Sequence, residues 1–326
     1  MEDYFSREIN YLRVSVTDRC NFRCLYCMPP GGINPVSHSE ILRNEEILRL
    51  IKAAAGIGIK KIRLTGGEPL VRRGIVDLVA GIAKIDEIDD IAITTNGSLL
   101  PALGKDLKEA GLRRVNISLD TLEPGLFRHI TGNGDLAQVW RGIETALGLG
   151  LNPVKINTVL MRGINYHELP ELAGLVLKYP LHVRFIELMP VGTADTWAGD
   201  MRVSTAEVMG AIESALGRLE AAQKPSGSGP AKYFRLPGAP GTIGFISAVS
   251  DHFCPSCNRL RLTAEGMIRP CLYSNREINI KTPLRQGATD RQLAALFREA
   301  VAAKPDRHNI QDGWKDEKRN MSQIGG

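Results

Sequence analysis

Strand-like and helix-like segments alternate regularly over the first two-thirds of this chain, and this rhythm limits its fold more than any other feature. Six short segments are apolar and rich in β-branched residues, as strands are: Leu12–Val16, Lys61–Leu64, Ile91–Thr95, Val115–Leu119, Lys155–Leu160 and Val183–Leu188. Amphipathic helical stretches lie between them at Glu45–Ala55, Gly74–Lys84, Asp135–Leu149 and His167–Tyr179. This alternation predicts an α/β fold with a parallel sheet, either open or wound as a barrel.

Cysteine and polar motifs follow the predicted strands at their carboxyl ends. Cys20 follows the first strand, Thr65–Pro69 the second and Thr94–Gly97 the third. Ser118–Asp120 ends the fourth strand and Glu187–Pro190 the sixth. Ligands of parallel α/β folds bind at this edge of the sheet, so we expect the motifs to form one site there.

The pattern changes after residue 200. A helical stretch at Ala206–Leu216 leads into a loop rich in Gly, Pro and Ser at Lys224–Ala231, and strand-like segments follow at Lys232–Leu236 and Thr242–Val249. We therefore expect a larger part, residues 1–225, and a smaller C-terminal region, residues 226–326, that ends in Gly-Gly. None of the predicted site positions depends on the Lys224–Ala231 loop.

All six cysteines of the chain fall into two groups of three. The first group has the spacing Cys-x3-Cys-x2-Cys and consists of Cys20, Cys24 and Cys27. The second group consists of Cys254, Cys257 and Cys271. Thiolates bind zinc or iron–sulfur clusters, and both structural zinc sites and electron-transfer cubanes usually take four protein ligands. Three cysteines on one short loop would leave one iron open to a substrate or cofactor atom.

The second group does not by itself decide between two kinds of site. His252 precedes Cys254 closely and could complete a zinc site, whereas an iron–sulfur cluster would use the three cysteines alone. The two groups could also share one site, but this would bring more thiolates together than a single cluster uses.

The net charge and the hydropathy of the chain bear on whether it binds nucleic acid or a membrane. The formal net charge of +5 is modest and the basic residues are scattered, so nucleic-acid binding is not indicated. The N-terminus Met1–Tyr4 carries acids where a signal peptide would be basic, and no window approaches the ~18 apolar residues of a membrane span. We expect a cytoplasmic protein with no membrane contact, in which disulfides are rare.

The cysteine motif with Tyr26 before its last cysteine resembles the signature of radical S-adenosylmethionine (SAM) enzymes. Nearly the whole chain is similar to one family of these, the GTP 3′,8-cyclases of molybdenum cofactor synthesis. The motifs that carry this resemblance are Arg13–Cys24, Met28-Pro29, Arg63–Leu70, Thr94–Gly97, Asn116–Asp120, Lys155–Asn157, Arg184–Met189, Cys254–Arg261, Cys271 and the terminal Gly-Gly.

The resemblance implies an incomplete (βα)6 barrel of the TIM type and a smaller C-terminal region with a second iron–sulfur site. It implies two [4Fe–4S] clusters, the first on Cys20, Cys24 and Cys27 and the second on Cys254, Cys257 and Cys271. The implied SAM contacts are Tyr26, Gly67, Ser118 and Met189. Gly67, which has no Cβ, would let the backbone approach the SAM ammonium.

The implied GTP contacts are Arg13, Arg63, Thr94, Lys155, Arg259, Leu260 and Arg261. Three of the first four are cations, which suits a triphosphate. Leu260 would contribute through its backbone, and the Gly325-Gly326 tail would reach the active site towards Arg13.

The implied activity is conversion of GTP to 3′,8-cyclo-7,8-dihydro-GTP through a 5′-deoxyadenosyl radical. An external electron donor would supply reducing equivalents, and a separate cyclic pyranopterin monophosphate synthase would use the product. The sequence does not set the oligomeric state, and a homodimer is compatible with it. Two other hypotheses remain: a radical SAM enzyme with an auxiliary cluster that modifies a peptide or another substrate, and a non-catalytic zinc-binding protein.

Overall fold

Six parallel strands in sequence order form the centre of the fold. The computed structural model describes residues 1–29, 31–308, 310 and 319–325. The strands are β1 (Tyr11–Ser15), β2 (Lys61–Thr65), β3 (Asp90–Thr95), β4 (Arg114–Ser118), β5 (Lys155–Leu160) and β6 (His182–Glu187). Each pairs in parallel with the next, and β1 does not pair with β6. The predicted α/β fold with an incomplete barrel is therefore confirmed.

Helices connect successive strands and cover one face of the sheet. They are α1 (Asn44–Ala55), α2 (Ile75–Ala83), α3 (Leu100–Glu109), α4 (Pro124–Thr131), α5 (Leu136–Gly148) and α6 (Leu169–Lys178). Strand residues on that face, such as Leu12, Ile62 and Ile156, have no exposed surface. Each such side chain contributes roughly 1.5–3 kcal/mol by burial, so this face holds the barrel together.

The predicted element bounds agree with the observed ones to within two residues, except that the strand predicted as Thr242–Val249 ends at Ile246. The stretch predicted as His167–Tyr179 begins as a 3-10 turn, Tyr166–Glu168, and the α-helix starts at Leu169. Pro170 in the first turn explains this start, because proline fits there and not in a helix interior. Helices α3 and α4 were not among the predicted elements.

The part of the chain that follows β6 adds strands to both edges of the six-stranded core. Its elements are α7 (Ala198–Met201), α8 (Thr205–Leu216), β7 (Glu220–Ala221), β8 (Lys232–Arg235), β9 (Thr242–Ile246), β10 (Arg259–Leu262), β11 (Met267–Arg269), β12 (Ile278–Asn279), α9 (Lys281–Arg285), α10 (Asp290–Ala302) and α11 (Met321–Ile324). Strand β9 pairs in parallel with β6, and β10 pairs in parallel with β1. All twelve strands form one continuous sheet.

Register places polar residues in rows on the inner face of the sheet. Arg261 of β10 lies opposite Arg13 of β1, which lies opposite Arg63 of β2. Asn157 of β5 lies opposite Arg184 of β6. Because side chains alternate between faces along a strand, the apolar neighbours of these residues enter the core while the arginines point into the barrel.

Candidate active site

The first three cysteines lie on the loop after β1 and line the barrel cavity. Backbone hydrogen bonds anchor this loop to the end of α4, from Arg23 N to Thr131 O at 2.7 Å and from Leu25 N to Ile130 O at 3.0 Å. Cys20, Cys24 and Cys27 are free thiols. The structure thus brings the predicted cysteine triad together on one wall.

The surroundings of these thiols fit a metal cluster. Burial raises the pKa of Cys20 to about 12 and raises those of Cys24 and Cys27 as well, so the thiolates are disfavoured without a counter-charge. Iron supplies that charge, and metal binding displaces thiol protons. Within the described residues, no three His, Cys, Asp or Glu side chains form a site for a single metal ion. A cubane differs from such a site because its cysteines bind separate irons.

Tyr26 is held by a carboxylate that sequence reasoning did not single out. Its hydroxyl donates to Asp120 Oδ2 at 2.6 Å, and Asp120 Oδ1 accepts from Val159 N at 2.8 Å. Burial raises the pKa of Asp120 to about 6. Tyr26, Ser118 and Asp120 all line the cavity, so the carboxyl ends of β4 and β5 fix the tyrosine beside the cysteine loop.

Gly67 is required for a reason that differs from the predicted one. A Cβ at this position would lie 2.4 Å from Arg19 O and 2.8 Å from Asp18 O, in the segment that leads into Cys20. The missing side chain therefore lets the Gly66-Gly67 turn pack directly against the cysteine loop. Gly67 also lines the cavity, as does Met189 across from it.

Glu68 ties the ends of β2 and β3 together beneath the cavity. Its carboxylate accepts from Leu70 N at 2.9 Å, Asn96 N at 2.6 Å and Thr95 Oγ1 at 2.7 Å. Burial raises its pKa to about 7. These contacts give the Thr65–Pro69 and Thr94–Gly97 motifs a structural role, and they leave Thr94 on the cavity wall.

Arginine side chains line the same cavity. Burial lowers the pKa of Arg63 to about 10 and that of Arg261 to about 10, and it lowers that of Arg13 as well. Arg63 lies over the Tyr11 ring, 5.4 Å from its centroid, and its Nε has no hydrogen-bond partner among the described residues. Such a concentration of buried positive charge favours a polyanionic ligand.

Arg184 belongs to the same arginine group, although no role for it was predicted. Its guanidinium donates to Asn116 Oδ1 at 2.8 Å and also to Asn157 Oδ1. Burial lowers its pKa, and it lines the cavity together with Asn157. The Arg184–Met189 motif could have indicated a role for Arg184 in the site. Only the register of β5 and β6 shows which groups Arg184 faces.

Lys155 is covered by the Lys224–Ala231 loop, which contradicts the expectation that no site position depends on this loop. Lys155 Nζ donates to Ser226 O at 2.6 Å, and a Cβ on Gly227 would lie 2.7 Å from the Arg114 guanidinium carbon. Burial lowers the pKa of Lys155 to about 6, with Arg184 adding to the effect. Ser228–Pro230 line the cavity, whereas Lys155 does not. The loop therefore separates this ammonium from the cavity.

The second cysteine group lines the same cavity from the C-terminal region. Burial raises the pKa of Cys257, but Arg259 and Lys304 outweigh burial and bring it down to about 6. The guanidinium of Arg259 lies over the Phe253 ring at 4.6 Å. Cys254 and Cys271 complete the group, so the structure brings together all three cysteines predicted for the second site.

His252 packs against a second histidine. Its ring centroid lies 5.1 Å from that of His308, in an edge-to-face contact. His308 Nε2 pairs with Ala248 O at 3.1 Å. The zinc site that His252 would complete is not formed within the described part of the chain.

The C-terminal tail enters the site beside β10. Arg261 Nη1 donates to Ile324 O at 3.1 Å and to Gly325 O at 2.7 Å. A Cβ on Gly325 would lie 2.5 Å from Thr65 Oγ1, so the glycine lets the tail lie against the end of β2. Gly326, the last residue of the predicted tail, is outside the described residues.

Leu260 lies between the two β10 arginines but faces the other way. Its side chain is fully buried in the apolar core and is not part of the cavity wall. Any contact of Leu260 with a ligand would therefore go through its backbone, as the resemblance implies.

The two cysteine groups line one cavity together with five arginines: Arg13, Arg63, Arg184, Arg259 and Arg261. Its carboxylates, Glu68, Asp120 and Glu187, are hydrogen-bonded by backbone N–H groups. Two groups of three cysteines and a group of arginines therefore face one shared space.

Comparison with known proteins identifies the family of this chain. Residues 14–176 match the model of the radical SAM superfamily, and residues 181–310 match that of Molybdenum Cofactor Synthesis C. The GTP 3′,8-cyclase of Pelotomaculum thermopropionicum is 59% identical over 326 residues, with 100% of both chains covered. The GTP 3′,8-cyclase of Moorella thermoacetica is 53% identical, again over 100% of both chains.

Solved structures support the fold. Streptococcus suis SuiB bound to S-adenosylmethionine has a TM-score of 0.61 at 14% identity, covering 98% of this chain and 77% of that one. A radical SAM methyltransferase from Sphaerobacter thermophilus has a TM-score of 0.51 at 21% identity, covering 71% and 65%. Together with the full-length sequence matches, the chain belongs to the radical SAM superfamily and, within it, to the GTP 3′,8-cyclase family.

Proposed function

We propose that this chain converts GTP to (8S)-3′,8-cyclo-7,8-dihydroguanosine 5′-triphosphate, the first step of molybdenum cofactor synthesis. One observation carries the proposal: six cysteines from two distant segments and a group of buried arginines line the same cavity. The relative from Pelotomaculum thermopropionicum, 59% identical over its full length, is named for this activity.

Cys20, Cys24 and Cys27 would hold a [4Fe–4S] cluster with one iron open to SAM. When bound, this cluster and SAM supply a 5′-deoxyadenosyl radical that takes the ribose 3′ hydrogen of GTP. Tyr26, Gly67, Ser118 and Met189 would form the SAM pocket. The Tyr26–Asp120 hydrogen bond and the close packing of Gly67 on the cysteine loop keep this wall rigid.

Cys254, Cys257 and Cys271 would hold a second [4Fe–4S] cluster on the opposite wall, again with one iron open. The convergence of three thiols and the low pKa of Cys257 support this assignment. Arg259 and Arg261 flank the site, and Arg261 also holds the tail at Gly325. The guanine base would lie here, with Leu260 contributing its backbone.

Arg13, Arg63, Thr94 and Lys155 would hold the triphosphate and ribose between the two walls. Arg63 suits this role because its buried Nε lacks a partner among the described residues. Lys155 would exchange Ser226 O for a phosphate oxygen, which requires the Lys224–Ala231 loop to move. Phosphate would also favour the charged form of Lys155, which burial disfavours.

Three further assignments belong to the same proposal. An external one-electron donor supplies reducing equivalents, and a cyclic pyranopterin monophosphate synthase uses the product. The chain acts as a homodimer or a monomer. It divides near residue 225 into a SAM-binding part and a C-terminal part. In the described part of the chain, no helix has the length and apolar character to cross a membrane.

Replacement of Cys271 by serine tests the proposal. Anaerobically prepared wild-type protein should contain about eight irons per chain, and Cys271→Ser protein about four. The variant should still cleave SAM reductively but form no cyclised nucleotide. Full cyclisation of GTP by Cys271→Ser protein would disprove the role of the second cluster.

A peptide-modifying radical SAM enzyme is the alternative, but the site does not favour it. A peptide would leave Arg63 and Arg184 buried without an anionic ligand, which is unfavourable. Binding of labelled GTP to the purified protein distinguishes the two substrates directly.

A further inference from the structure

Lys304 is a buried lysine that joins the two segments that carry the second cysteine group. Its side chain is almost fully buried, and Nζ donates to Arg259 O at 2.8 Å and to Pro270 O at 2.8 Å. Arg259 lies two residues after Cys257, and Pro270 immediately precedes Cys271. One ammonium thus fixes the spacing between two ligand-bearing segments that are not adjacent in sequence.

The charge of the same ammonium also acts on a cysteine of this group. Lys304 favours the thiolate form of Cys257 and so lowers its pKa. Hydrogen bonds and charges near the sulfurs of an iron–sulfur cluster tune its reduction potential. The position of Lys304 is therefore suited to act on a cluster at this site.

Lys304 has no carboxylate partner among the described residues, unlike Arg7, another buried cation beside this cysteine group. Arg7 Nη1 donates to Cys254 O at 3.1 Å and to Asp306 O at 2.8 Å, and its Nε pairs with Asp3 at 2.6 Å. Arg7 is thus neutralised by an acid of its own. A buried ammonium without such an acid is unfavourable unless a nearby anion offsets it.

A cubane held by three thiolates supplies that anion. In its oxidised form the iron–sulfur core is dicationic, so three thiolates give the site a net negative charge, which increases on reduction. Lys304 carries a positive charge at the place where this negative charge would lie.

We infer that Lys304 is a positioning residue of the second iron–sulfur site, which holds the Cys257 and Cys271 segments together and raises the reduction potential of the cluster. This inference rests on the second cluster of the proposed function. Lys304 contacts the backbone of the two cysteine-bearing segments rather than the reacting atoms, so it acts through the cluster.

The test compares Lys304→Met, which keeps most of the unbranched stem but removes the charge, with Lys304→Arg, which keeps the charge. Lys178→Met removes an exposed lysine of α6 and serves as the control. Each protein is prepared anaerobically, its iron is counted, and both clusters are titrated with a reductant under electron paramagnetic resonance. The first cluster in the same sample serves as an internal reference.

In Lys304→Met, reduction of the second cluster should become about tenfold less favourable, or about 59 mV for a one-electron couple. The first cluster should be unchanged, and Lys304→Arg and Lys178→Met should match the wild type. Loss of about four irons in Lys304→Met but not in Lys304→Arg would also support the positioning role.

Full iron content with an unchanged second potential in Lys304→Met would overturn the inference. Equal iron loss in Lys304→Arg would overturn it too, because the charge would then not be what matters. A wild-type protein with only about four irons would instead refute the second cluster itself, and that outcome is visible before any variant is made.

Discussion

Replacement of Arg63 by methionine should stabilise the substrate-free protein and weaken GTP binding. Burial lowers the pKa of Arg63 to about 10, with Arg114 and Arg184 adding to the effect. The difference between this pKa and the ordinary pKa of 12.5 means that the charged side chain destabilises the folded protein by about 3 kcal/mol at pH 7. As pH rises, the Arg63 guanidinium loses its proton in the folded state before it does so in the unfolded state. The destabilisation therefore decreases only between about pH 10 and pH 12.5.

The variant also loses a favourable contact. Arg63 lies over the Tyr11 ring at 5.4 Å, and such a cation–π contact contributes about 1 kcal/mol. Methionine keeps most of the apolar packing of the arginine stem. The net expectation is a gain of about 2 kcal/mol in the free energy of unfolding, or a few degrees in the melting temperature.

GTP binding should change in the opposite direction. A guanidinium in contact with a phosphate contributes up to about 4 kcal/mol at an effective dielectric constant near 20. A loss of roughly 2–4 kcal/mol corresponds to about 30- to 1000-fold weaker binding. The GTP-dependent rise in melting temperature should shrink accordingly.

The assay is anaerobic thermal unfolding at matched iron content, with and without GTP, together with a direct binding titration. Arg73→Met, at an exposed position on the loop before α2, is the matched control and should leave both quantities near the wild-type values. A lower melting temperature for Arg63→Met without GTP, or unchanged GTP affinity, would refute the reasoning.

Three other predictions follow from single contacts. Gly67→Ala should prevent stable assembly of the first cluster, because the new Cβ would lie 2.4 Å from Arg19 O; near-normal iron content would contradict this. Burial raises the pKa of Glu46, but hydrogen bonds led by Arg285 bring it down to about 2. The Glu46 carboxylate therefore stabilises the fold fully above about pH 4.5 and loses this effect as pH falls through about 2. Glu46→Gln should therefore cost about 1–3 kcal/mol at pH 7 in denaturant titrations and much less at pH 3, and a pH-independent difference would rule this out. Binding of GTP should increase hydrogen exchange at residues 226–229 as Lys155 exchanges its partner, whereas added protection there would show that the loop stays in place.

The sequence predicted the parts of the site that sit on single strands. Cys20, the Thr65–Pro69 motif and Ser118 were placed correctly because strand ends and their loops are local features, and the carboxyl ends of parallel strands share an edge. The resemblance assigned the two cysteine groups to two separate clusters, and the structure shows that both groups line one cavity.

Features that depend on pairing of distant segments were not predictable in this way. The docking of β10 beside β1 brings Arg261 next to Arg13, and nothing local in either segment specifies that neighbour. The contact of Ser226 with Lys155 is made by a backbone carbonyl, which any residue could supply, so composition could not reveal it. Nothing in the sequence distinguishes Lys304 from other lysines near the C-terminus. Its two carbonyl partners are brought to it by tertiary packing.

The most direct test of the central claim follows one hydrogen atom. Anaerobic protein is incubated with SAM, a one-electron reductant and GTP that carries deuterium at the ribose 3′ position, and the products are separated and analysed by mass. The account predicts deuterated 5′-deoxyadenosine and a new nucleotide, isomeric with unlabelled GTP but lacking the 3′ deuterium. Unlabelled 5′-deoxyadenosine, with all GTP recovered intact, would contradict it.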